Sequence, residues 1–67
     1  MLPDPRDRLA ELLREAERHR NSIREFGMAG YVTMVEQHRA KLREVQEQVR
    51  RHCEEHGLEL PREIPKR

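Results

Sequence analysis

The sequence predicts an all-α fold: an antiparallel two-helix hairpin that dimerises into a four-helix bundle and carries an extended C-terminal tail. Three observations lead there. Charged residues make up 40% of the 67 positions and aromatics 3%, and Ala, Glu, Lys, Leu and Arg together supply 36 of the 67, as in long helices and coiled coils. Apolar residues recur at helical spacing in two segments separated by "FGMAGY". When the chain is folded at that break, the two apolar stripes face each other in register.

The first element opens at Asp4-Pro5, an oxygen-bearing N-cap followed by proline at the first helical position. Asp7 and Glu11 add negative charge near the positive end of the helix dipole. The stripe then runs through Leu9, Leu12, Ala16, His19, Ile23 and Phe26, with Leu13 on its flank, so a helix is expected over about 5–26. Ser22 and Glu25 have capping-box spacing and offer an alternative break at "RNSIRE". Ile23 and Phe26 keep the register across it, which favours one continuous helix.

Gly27 can take the left-handed conformation that ends helices, and Gly30 loosens the restart, so the turn is expected at about 27–30. The second stripe is Tyr31, Val35, His38, Leu42, Val45, Val49, His52 and His56, widened by Val32, Met34 and Cys53. It predicts a helix over about 30–56, completing a hairpin domain of residues 1–57. After Gly57, Pro61 and Pro65 exclude a helix interior. Residues 58–67 are therefore expected as an extended, loose tail, although Leu58, Leu60 and Ile64 could pin it to a groove.

Folding at the break pairs positions whose numbers sum to 57 or 58: Phe26 with Tyr31, Ile23 with Val35, His19 with His38, Ala16 with Leu42, Leu12 with Val45 and Leu9 with Val49. These twelve residues are the expected interface. A lone helix pair covers each of them on one side only, which secures part of the roughly 1.5–3 kcal/mol available on full burial of a large apolar side chain. Ordering the backbone opposes this by on the order of 1–2 kcal/mol per residue. Oligomerisation is the common remedy in small scaffolds, so a homodimer is expected, with a different protein docked on a helical face as the second choice. Arg43 with Glu47, Arg50 with Glu54, and Arg51 with Glu55 have the spacing of stabilising ion pairs.

All four histidines fall on the stripes. His19 beside His38 makes a polar layer in an apolar stack, read first as neutral, hydrogen-bonded rings and second as a pH- or metal-responsive element. Near the C-terminus, "HCEEH" at 52–56 resembles the H-x-x-E-H pattern of inverted zinc metallopeptidases, with Glu55 in the place of the general base. The likeness covers five residues, and no third ligand or cleft-building helix follows. Gly57 instead suggests a helix terminus, with Leu58 touching Cys53 as in a Schellman cap. His52, Cys53 and His56 remain the alternative metal ligands, and no cofactor is expected. One cysteine cannot form an internal disulfide, and Cys53 reads as a packing residue.

The near-neutral charge of +1 creates no bulk attraction to nucleic acid or anionic lipid. Arg14, Arg18, Arg20, Arg24, Arg39, Lys41 and Arg43 gather at mid-hairpin and would serve a small RNA- or DNA-binding regulator. They are interleaved with Glu15, Glu17, Glu36 and Glu44, and nucleic acid is not favoured. There is no phosphate-binding glycine loop, nucleophile elbow, signal peptide or membrane-spanning apolar run. The expectation is a complete, soluble, cytoplasmic polypeptide that is not an enzyme: a protein-interaction or regulatory module acting through helix packing and self-association.

Overall fold

A computed structural model describes residues 4–66; Met1–Pro3 and Arg67, ends of the expected hairpin and tail, lie outside the described residues. Two helices of 25 residues each, α1 (Pro5–Ala29) and α2 (Val32–His56), form the expected antiparallel hairpin. Its extents are 43 × 28 × 16 Å.

The start of α1 follows the local signal. Asp4 has extended backbone, and its Oδ1 accepts from the Arg6 N–H at 2.9 Å, while Pro5 fills the first turn, where no N–H partner is needed. The helix continues through Ser22, so the capping-box spacing there has no structural effect.

The end of α1 differs from expectation. Gly27 is helical, and the helix runs three residues beyond Phe26 before stopping at Gly30, which has φ +81°. Correspondingly, α2 begins at Val32 rather than 30. The stop is built from a donor pair and an apolar contact. Tyr31 N–H donates to the Phe26 carbonyl at 2.9 Å, Gly30 N–H donates to the Gly27 carbonyl at 3.2 Å, and the Tyr31 ring meets Phe26 edge-on at 6.0 Å. This is the Schellman arrangement. A stop at Gly27 would rest Met28 on Ile23 instead; the aromatic pair is the larger contact. The same device ends α2: Gly57 has φ +63°, Leu58 N–H donates to the Cys53 carbonyl at 2.9 Å, and Leu58 packs against the cluster holding Cys53. Here sequence and structure agree.

The tail corrects the expectation of a loose extension. Residues 61–64 form a turn in which Ile64 N–H donates to the Pro61 carbonyl at 3.1 Å. Ile64 itself is 2% exposed and belongs to the core. Arg50 holds the segment down, donating through Nη1 to the Pro65 carbonyl at 2.8 Å while Nε and Nη2 hold Glu47. A loose tail would leave apolar surface at the open end of the hairpin wet; docking removes it.

Leu12, Ala16, Val45, Val49, Cys53 and Ile64 are the buried core, with Leu9, Leu13, Leu42, Leu58 and Leu60 packed against it. All six lie in the half of the hairpin that contains the chain ends. The ion pairs also differ from expectation. Glu47 takes both Arg50, at 2.8 Å, and Arg51, at 3.7 Å. Glutamate N-terminal to its arginine is the favoured orientation, because helical side chains lean toward the N-terminus.

Candidate functional site

The histidines are the first candidates for chemistry. His19 Nδ1 and His38 Nδ1 lie 3.0 Å apart, as the register of the two stripes requires. Phe26 stacks on His38 with ring centroids 5.6 Å apart and planes 15° from parallel. Burial, then the neighbouring His38, lowers the His19 pKa below its ordinary 6.5; Lys41 and Arg18 add to that, and Glu15 opposes it. An Nδ1–H···Nδ1 bond needs one donor and one acceptor, so a doubly protonated pair has two donors and no bond.

The sign of the pH dependence follows. Between the lowered native value and 6.5 the unfolded chain binds more protons at His19 than the folded one. The stabilisation is complete above about pH 6.5 and fades as the pH falls through the native value. Losing this hydrogen bond represents on the order of 1 kcal/mol, or about 4–8 °C in a domain of this size. Thermal unfolding followed by circular dichroism should give a lower midpoint at pH 5 than at pH 7.5, and His19→Phe should flatten the profile. An unchanged midpoint in the parent chain would dismiss the coupling.

At the other end, His52 Nε2 lies 2.6 Å from the Pro5 carbonyl, so that nitrogen donates and ties the last turn of α2 to the start of α1. His56 is exposed rather than on the seam, its ring 4.6 Å from that of His52. Cys53 is buried, with Sγ 3.8 Å from the Glu59 carbonyl, and burial raises its thiol pKa, the opposite of nucleophile activation. Among the described residues no group of three or more His, Cys, Asp or Glu side chains could hold a metal ion, so His52, Cys53 and His56 do not assemble into one. The five-residue likeness to a peptidase motif is thus a helix terminus: one histidine is a tether, the cysteine is core, and the glycine after them is a cap.

Of the basic residues, Arg18 on α1 and Lys41 on α2 both lie close enough to His19 to act on its charge. Arg14 and Arg18 line a shallow cleft on α1, shared with Glu17 and Asn21. Arg24, Arg39, Lys41 and Arg43 are exposed, and Arg20 is half-buried.

What distinguishes one region from another is how far the seam is covered. Beyond Ala16 and Val45 toward the turn, no described residue is fully buried. Ile23, Phe26, Val35 and Leu42 are half-buried there. Met28 is 86% exposed, Val32 67%, Tyr31 60% and Met34 37%. The cause is the tail: it seals the end holding residues 12, 49 and 53 and never reaches the turn. The twelve expected interface residues thus divide. Leu12, Ala16, Val45 and Val49 are buried within the hairpin, Leu9 and Leu42 pack beside them, and the six from His19 to His38 form its open half. Sequence reasoning offered Ile64 only as a possible pin for the tail, the second choice to a loose extension, and missed the exposed tip as a surface. The uncharged run from Phe26 to Val35, ten residues in a heavily charged chain, was the available signal for the tip.

The described residues form a small all-helical hairpin without an assembled catalytic or metal-binding group, and none of its helices is long and apolar enough to cross a membrane. Comparison with protein-family models, with curated proteins and with solved structures finds no match to this chain.

Proposed function

We propose that this chain is a non-enzymatic interaction module that works by helix packing and self-associates, two hairpins combining into a four-helix bundle. One observation supports the reading above others: the core is one-sided along the hairpin axis, with every buried residue in the tail-covered half and exposed methionines, valine and tyrosine at the other. Apolar side chains left half-wet at helical spacing gain further burial from a second helical face. The histidine layer lies at the boundary between the two halves and would become more enclosed on association. Polar layers of this kind set register and oligomer state in helical assemblies.

The basic middle gives the weaker reading, because Glu17 shares the cleft that Arg14 and Arg18 line and Glu15, Glu36 and Glu44 are interleaved with the other cations. Sedimentation across about 1 μM to 1 mM covers association energies of about −8 to −4 kcal/mol. The expected result is a rise from monomer to dimer mass within that range. A monomer throughout would overturn self-association.

A further inference from the structure

Gly27 has no evident purpose inside the hairpin. It lies within α1, is exposed, and has ordinary helical backbone, unlike Gly30 with its left-handed φ. A Cβ added there would meet only Val35 Cγ2, at 4.0 Å, an ordinary contact. Glycine is a poor helix former, and alanine would fit. What the glycine does provide is space. It borders a cleft of about 270 Å³ whose walls include Gly30, Tyr31, Val32 and Val35. The next residue, Met28, projects into solvent at 86% exposure. A notch and an unbranched, adaptable apolar side chain therefore sit side by side on the same tip.

The surrounding charges indicate what fills the notch. Arg24 and Glu25 flank the uncharged run on α1; Glu36 and Arg39 flank it on α2, at the edge of the cleft. Each helix contributes one charge of each sign. A polyanion or an anionic lipid surface favours an excess of cations. A balanced rim is matched by its own two-fold copy, in which each acid can meet a base. Size decides the direction of approach. The end of the rod, 28 by 16 Å across, is smaller than the roughly 800 Å² per partner of a typical stable interface. The copies must therefore lie side by side, extending the contact over half-buried Ile23, Phe26 and Val35.

Resting on the self-association proposed above, we infer that the partner surface is the hairpin tip of a second copy, tip beside tip, with Met28 of each chain seated in the Gly27–Gly30 cleft of the other. This gives Gly27→Ala an unusual signature. It should raise the melting point of the dilute monomer, through better helix propensity, and at the same time weaken dimerisation, because the added methyls narrow both notches. Met28→Ser should leave the dilute monomer's melting point nearly unchanged and weaken dimerisation.

The test is sedimentation equilibrium and dilute thermal unfolding of the full chain, Gly27→Ala and Met28→Ser. Both variants should dissociate about tenfold or more readily than the parent, each losing two symmetric contacts. If the parent dimerises and either variant does so equally well or more tightly, the tip is not the interface and the inference fails, while self-association stands. If the parent is monomeric throughout, both fall.

Discussion

Replacing Leu12 with alanine should lower stability by about 2–5 kcal/mol, the range for large-to-small changes in a packed core. Leu12 is 2% exposed and is the largest side chain that α1 contributes to a core of six. A chain of this length has a total stability of roughly 3–10 kcal/mol on a per-residue basis, so the loss is comparable with the whole and much of the population should unfold near room temperature. Urea unfolding monitored by helical circular dichroism measures it. Leu13→Ala provides the contrast: its half-buried neighbour on the flank should cost less. Equal losses at the two positions would mean that the helix presents a different face to α2 from the one described.

Ile64→Ala should also cost about 2–5 kcal/mol, and this result bears on the tail. A residue seven positions beyond a helix-ending glycine, between two prolines, would ordinarily be indifferent to substitution. Here Ile64 is buried to 2% exposure and closes the same cluster as Val49 and Cys53. Its loss removes apolar burial and weakens the purpose of the Arg50 contact to the Pro65 carbonyl. The helical circular dichroism transition should shift to lower denaturant in the variant, if tail and hairpin form one cooperative unit. An unshifted midpoint would make the tail an appendage and remove the reason given for the closed base and open tip.

The two effects illuminate different levels of the sequence. Leu12 was identifiable as core because its neighbours at three- and four-residue spacing define one helical face and Val45 answers it on the other helix. The same reasoning placed His19 against His38, and the structure brings their ring nitrogens to 3.0 Å. Ile64 carried no such signal, since a lone isoleucine between prolines has no periodicity to read. The position of the turn was ambiguous for a related reason. Gly27 and Gly30 are both adequate helix stops, and each is followed by an apolar residue that can fold back. Which stop is used depends on the contact made afterwards, here Tyr31 on Phe26 at 6.0 Å. The ion pairs were visible as spacing but assigned in the less favourable direction, and Glu47 takes both arginines that follow it, Arg50 and Arg51.

From the sequence alone came the two helices, their antiparallel register, the Asp4-Pro5 start and the Gly57 stop, because each rests on interactions within a few residues or on periodicity repeated along a whole stripe. Only the tertiary structure decided which glycine ends α1, that the tail folds back through Ile64, and consequently that the hairpin is sealed at one end and open at the other. Those outcomes depend on which apolar surface is left uncovered once the helices have met. That is a property of the packed chain as a whole, and no local window of sequence contains it.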